Sequence, residues 1–316
     1  MTISGDSKGV FVISATPFRD DGALDLESTD RLVDSYLAAG VSGMTILGMM
    51  GEAAKLSPEE SKTFLERVLA RVDHRVPVIA GVSNAGTDNL VRFSRDAIAA
   101  GAAGVMIAPL PTLRTDEQVI AYFADLHGRL GPDVPVVLQD FPQATGVHLS
   151  VTTIERVYEA CPTIVIFKHE DCPGLTKLRR LRDNDSGRRR VSILVGNSGL
   201  FLPQELGRGA DGAMTGFAYP EMMVGVCRLH EGGETARAED LFDSYLPLVR
   251  HDSQPGLGLA IRKEILRRRG MIESAHARAP APKLTPQDMA ELDNLIARME
   301  ARLSAAGFPL PPSGGG

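Results

Sequence analysis

Apolar positions in the first two thirds of the chain fall into short continuous runs. Between them lie stretches where apolar residues recur at helical spacing. Runs near 10–16, 41–47, 76–82, 104–108, 134–139, 163–168, 191–196 and 212–216 predict strands buried on both faces, since a strand with one wet face would alternate instead. Helical patterns fall near 26–39, 58–71, 87–100, 116–129, 150–160, 174–182 and 201–208. Three joints look alike: "AAGVSGMTILG" (38–48), "AAGAAGVMIAP" (99–109) and "GRGADGAMTG" (207–216) each place a glycine after a helical pattern and then begin an apolar run. Glycine most easily takes the left-handed conformation that ends a helix. Helix starts are marked too. "SPEE" offers Ser57 as cap, Pro58 for the first helical position and Glu60 to close a capping box, and "TDEQ" repeats the device with Thr115 and Gln118.

Eight strands alternating with helices predict an α/β fold, a closed parallel (β/α)8 barrel in preference to an open doubly wound sheet. No G-x-G-x-x-G or Walker glycine pattern favours a nucleotide fold. After residue 220 the strand signals stop. Helical patterns follow at 220–231, 234–250, 256–270 and 285–305, the last opened by the cap-like pair Thr285–Pro286. The expected organisation is a barrel over 1–219, a C-terminal helical extension packed on it over 220–306, and a flexible tail over 307–316 ending in "PLPPSGGG".

Composition narrows the function classes. An apolar share of 43% and a charged share of 23% are ordinary for a soluble globular protein, and they supply a large core. The net charge of -6 argues against nucleic acid and anionic membranes as partners; the longest basic cluster is "GRRR" at 187–190, expected in a solvated loop. Cys161, Cys172 and Cys227 are few, odd in number and far apart, which fits a reducing cytoplasm better than secretion. No signal peptide and no membrane span is expected.

One residue interrupts this bland picture. "TIVIFKHEDC" (163–172) ends a buried-strand pattern on Lys168, in a chain with only seven lysines. In a (β/α)8 barrel the chemistry gathers at the C-terminal ends of the strands, which is where Lys168 closes strand six. Alternation puts Ile164, Ile166 and Lys168 on one face and turns His169 the other way. An amine walled by apolar side chains loses preference for its charged form and becomes a better nucleophile toward a carbonyl carbon. The competing reading is a structural ion pair with Glu170 or Asp140. His169, Glu170, Asp171 and Cys172 are all potential metal ligands, but neighbours on an extended chain point to opposite sides, so no metal site is expected.

Several segments carry a resemblance. "GMMGEAAKLSPEE" (48–60), "IVIFKHEDC" (164–172) and "LVGNSGLFLPQELGRGADGAMTG" (194–216) resemble, in order, segments of the dihydrodipicolinate synthase/N-acetylneuraminate lyase family. "ATPF" (15–18), "FPQATG" (141–146) and "IRKEILRRRGMI" (261–272) fit as well, so the similarity runs from about Val10 to about Leu303. It implies a (β/α)8 barrel with C-terminal helices, usually a homotetramer, acting on pyruvate or another 2-oxo acid through a lysine Schiff base with no cofactor. Lys168 matches the imine-forming lysine.

The departures matter as much. The two hydroxyl residues that family members carry in the glycine turn after strand two match Met49 and Met50 here. Gly48 and Gly51 remain, so backbone N–H groups there can still bind an anion. The family's catalytic tyrosine matches Gln139, a second tyrosine lent by a neighbouring subunit matches Pro111, and the arginine that the synthase uses on its second substrate matches Ala144. Methionine and glutamine cannot relay protons. The lysine-biosynthetic synthase activity is therefore not expected, and the relay must come from elsewhere. Glu170 shares the face of Lys168 two residues on, and Tyr219, in "GFAYPE", lies just past strand eight. Asp140 and Gly196 are further pocket candidates. Met49, Met50, Leu110 and Phe141 predict an apolar lining. The expected activity is that of a class I lyase making or breaking a C–C bond beside the carbonyl. Two alternatives stand beside it: dehydration of a 2-oxo-3-deoxy sugar acid, and a non-catalytic ligand-binding role on the same barrel.

Overall fold

The computed structural model describes residues 2–172, 174–185 and 189–312. Eight strands, β1 (Gly9–Ile13), β2 (Gly43–Ile46), β3 (Val78–Gly81), β4 (Gly104–Ile107), β5 (Val136–Asp140), β6 (Ile164–His169), β7 (Ser192–Val195) and β8 (Gly212–Ala213), pair in parallel in sequence order and close into a barrel. The helices α1 (Leu26–Ala38), α2 (Pro58–Val72), α3 (Thr87–Ala99), α4 (Asp116–Leu130), α5 (Pro142–Thr145), α6 (Val151–Ala160), α7 (Leu175–Asp183), α8 (Leu202–Leu206) and α9 (Pro220–Glu231) alternate with them. Beyond these lie α10 (Thr235–Asp252), α11 (Gly258–Arg268) and α12 (Pro286–Ala305). The capping boxes at Ser57/Glu60 and Thr115/Gln118 are both formed, and Thr285 builds a third with Asp288.

Two apolar layers arise from the strand period. Phe11, Ile13, Ile79, Met106, Val137, Ile166, Leu194 and Met214 fill the barrel's interior. Val10, Val12, Met44, Ile46, Val105, Ile107, Val136 and Leu138 pack outward against the helices. Strand six departs from the expected alternation. Its pairing with β5 shifts register at Val136/Val137, so Val136 faces Ile164 and Val137 faces Ile166. Ile164 consequently packs in the outer layer, while Val165 and Ile166 lean on the inner one. The bulge resets the alternation before it reaches Lys168, which still opens inward.

The ends of the elements differ from expectation in a few places. The eighth strand is only two residues long and stops before Met214–Gly216. Helix α9 packs against β1 and so completes the eighth strand–helix unit, although its pattern reads as the start of the extension. The tail begins more firmly than its composition suggests: Phe308 packs partly buried against the core, with the Arg237 guanidinium 5.6 Å from its ring centre. Ser313–Gly316, like Gly187 and Arg188 of the basic run, lie outside the described residues. Among the described residues, no helix is long and apolar enough to cross a membrane.

Candidate active site

Strand register builds the centre of the site. Gln139 on β5 stands opposite Lys168 on β6, and Asp140 stands opposite His169, so the first pair opens into the barrel mouth and the second into the helix layer. Two residues beyond Lys168, Glu170 returns to the inner face. Its N–H donates to the Asp140 carbonyl at 2.9 Å, and its carbonyl accepts from Asn197 Nδ2 at 2.8 Å, which holds the chain extended past the strand end. Glu170 Oε1 lies 2.7 Å from Lys168 Nζ and accepts from Gln139 Nε2 at 2.7 Å, while Oε2 faces the Asn197 N–H at 3.4 Å. All three side chains are buried, Lys168 at 4% exposure. The expected wall of purely apolar groups around the amine is thus replaced by a carboxylate in contact with it. The ion pair and the inward lysine, rivals on sequence grounds, occur together.

A cavity of about 480 Å³ opens beside this pair. Lys168, Glu170, Gln139, Gly48, Met49, Met50 and Phe141 line it. Met49 is half exposed at the rim. The backbone N–H groups of Met49 and Met50 donate to no backbone acceptor among the described residues, although the turn around them is closed by Gly51 N to Gly48 O at 3.0 Å and Glu52 N to Met49 O at 3.0 Å. Such paired free donors are what remains for an anion once the side-chain hydroxyls are gone.

Other expected site residues lie elsewhere. The Asp140 carboxylate turns outward to Lys177 Nζ at 2.6 Å, and His169 Nδ1 is 3.8 Å from it. Tyr219 is not in the cavity wall. Its ring packs at a tilt against those of Phe217 and Tyr245, and the Arg269 guanidinium sits 4.4 Å over it. Burial pushes its phenol up to about 12. Gly51 closes its turn and gives its carbonyl to the Thr16 hydroxyl at 2.6 Å. Gly196 serves by being small: a Cβ there would fall 2.1 Å from Glu170 Cγ. Leu110 lies outside the wall.

The cavity's other side holds residues that no sequence pattern singles out. After β7, Asn197 and Ser198 both take positive φ, +51° and +56°, and the Ser198 N–H donates to Thr215 Oγ1 at 2.8 Å. Arg262, from α11 in the extension, lines the cavity beside them. Its Nη2 donates to Ser198 Oγ at 3.1 Å and to Asp252 Oδ2, and its Nε to Asp252 Oδ1 at 3.3 Å. Burial raises the Asp252 carboxyl, a push only partly offset by that guanidinium. "IRKEILRRRG" contains six charged side chains, five in α11 and Arg269 at its C-terminal cap, and nothing in their spacing says which one turns inward.

Barrel, inward lysine, adjoining carboxylate and open cavity define the lyase/aldolase type of (β/α)8 protein. The chain belongs to the dihydrodipicolinate synthetase family, whose model matches residues 6–299. It is 31% identical to the L-2-keto-3-deoxyarabonate dehydratase of Azospirillum brasilense, over 93% of this chain and 94% of that one. It is 33% identical to the 4-hydroxy-tetrahydrodipicolinate synthase of Sorangium cellulosum, over 94% and 98%. Among solved structures, it resembles the dihydrodipicolinate synthase of Rhodopseudomonas palustris at a TM-score of 0.92 and 44% identity, covering 94% of this chain and 99% of that one. YagE of E. coli K12, solved in complex with pyruvate, matches at a TM-score of 0.84 and 26% identity, covering 92% and 98%.

Proposed function

We propose that the protein is a class I lyase in which the Lys168 amine forms an imine with C2 of pyruvate or another 2-oxo acid. The observation that carries this reading is the buried Lys168–Glu170 contact of 2.7 Å on the wall of an open cavity. An ammonium cannot attack a carbonyl, and Glu170 is within reach to take its proton. The same carboxylate can hand that proton to the carbinolamine hydroxyl, which leaves as water when the C=N bond forms. The protonated imine then draws electrons from the bond beyond C2. Gln139 cannot donate a proton as an acid; its amide orients Glu170. The Met49 and Met50 N–H groups receive the substrate carboxylate. Synthesis of 4-hydroxy-tetrahydrodipicolinate is not proposed, because Gln139 and Ala144 stand where the resemblance calls for a catalytic tyrosine and a carboxylate-binding arginine.

One observation favours dehydration of a 2-oxo-3-deoxy sugar acid as the second reading. Glu170 is the carboxylate in contact with Lys168, and one carboxylate suffices for that reaction: it removes the C3 proton and returns it to the departing C4 hydroxyl, releasing water. The relative from Azospirillum brasilense bears a dehydratase name, which supports the same choice.

Borohydride reduction in the presence of pyruvate, followed by peptide mass analysis, tests the imine. The expected result is a pyruvyl adduct on Lys168, lost together with all turnover in Lys168→Ala. No adduct with pyruvate or with a panel of longer 2-oxo acids overturns the proposal in favour of a binding protein. Incubation with a 2-oxo-3-deoxypentonate separates the two chemistries: cleavage releases pyruvate, whereas dehydration keeps all carbons in one product.

A further inference from the structure

The cavity has two unlike sides. Strand order around the closed barrel puts the β2 turn, with its free N–H groups, four strands from Lys168 and so across the mouth from it. Gln139 and Glu170 occupy the arc of β5 and β6. A 2-oxo acid that spans from the β2 turn to Lys168 with C1 and C2 therefore has the arc of β7 and β8 left for its remaining carbons. Arg262 stands there, 4% exposed, fixed by Asp252 and Ser198. Its Nη1 donates to no acceptor among the described residues. That nitrogen fits because residue 216 is glycine: a Cβ would fall 2.5 Å from it and 2.8 Å from the Ile13 carbonyl.

Resting on the imine reading above, we propose that Arg262 Nη1 is the receptor for a substrate oxygen beyond C3, and that its pairing with Asp252 selects hydroxylated 2-oxo monoacids over 2-oxo diacids. A buried donor aimed into a cavity wants an oxygen, and a plain alkyl chain leaves it unpaired. Charge decides which oxygen. The Asp252 carboxylate already balances the guanidinium, and Glu170 balances Lys168. A second substrate carboxylate would add an uncompensated buried charge, whereas a hydroxyl adds none.

A five-carbon series tests this: 2-oxopentanoate, 4-hydroxy-2-oxopentanoate and 2-oxoglutarate, each titrated against borohydride-trapped Lys168. The pyruvyl adduct left by any cleavage of the hydroxy acid is counted with its own adduct. The hydroxy acid is expected to half-saturate at about tenfold lower concentration than either of the others, the value of one hydrogen bond to a charged group. Arg262→Lys keeps a charge against Asp252 but loses the fork, and should bring that ratio to within about twofold. Should it fail to fold, the apolar pair Arg262→Met with Asp252→Leu is expected to report the same collapse. An unchanged ratio in a folded variant, or tighter capture of 2-oxoglutarate than of the hydroxy acid by the unmodified protein, overturns the assignment and leaves the imine standing. No adduct with any acid overturns both.

Discussion

At the scale of single residues, Lys168 and Glu170 have to be understood as a pair. A buried lysine alone would gain nucleophilicity from burial; one with a carboxylate at 2.7 Å has instead a partner that can move its proton. Glu170→Gln keeps the shape and the contact to Asn197 but cannot take a proton. Turnover is expected to fall by about 10²–10⁴, the range for removal of a general acid–base, and the melting temperature to fall as well, since Lys168 loses its buried counter-charge. Tyr219→Phe is expected to leave turnover unchanged, because that phenol lies in an aromatic cluster behind the barrel wall. Steady-state kinetics on both variants checks the pair. Full activity in Glu170→Gln would remove the carboxylate from the relay.

At the scale of elements, the site depends on the turns at the strand ends more than on the strands themselves. Leu47 and Glu52 after β2, and Asn197 and Ser198 after β7, all take positive φ, a conformation that costs a non-glycine residue energy and tends to collect at functional sites. Tertiary bonds hold them there. Glu52 accepts from Lys263 Nζ at 2.5 Å and Lys55 Nζ at 2.9 Å, tying the β2 turn to α11. Gly196 lets Glu170 come close to the β7 turn. Gly196→Ala is accordingly expected to displace the Glu170 side chain, since the new methyl would sit 2.1 Å from its Cγ. The loss should be seen as reduced turnover and reduced imine trapping in a protein whose circular dichroism remains that of the barrel. Unaltered kinetics would mean that Glu170 has room to move without consequence.

At the scale of the whole molecule, burial of an acid outside the site shapes stability. Glu205, in α8, is 7% exposed and its Oε2 has no hydrogen-bond partner among the described residues. Desolvation pushes its carboxyl up to about 8. A carboxyl that stays protonated when folded but ionises when unfolded favours the folded state most at low pH. That contribution is lost as pH rises through the interval between the ordinary carboxyl value and about 8. Glu205→Gln, neutral throughout, should make the melting temperature decline less steeply across this interval. Melting curves from pH 5 to pH 8 on both proteins check it; parallel declines would show that Glu205 is ionised when folded.

Local pattern is enough to dictate the order and kind of the elements, because strand and helix periods and helix caps are local properties. It also determined the position of Lys168 at a strand end, because alternation counts from the strand itself. Glu170, two residues on, was legible for the same reason. Where the count had to cross a bulge or leave a strand, it failed: Ile164 faces the outer layer, and Tyr219, beyond the short eighth strand, turns away from the mouth. That Asp252 and Arg262 complete the cavity follows from packing alone, because they come from α10 and α11, whose place over the barrel no local pattern records. Closure of the barrel decided the rest. It alone brings residues from β2, β5, β6 and β7 to one opening, and distances across that opening are properties of the packed chain, not of any segment in it.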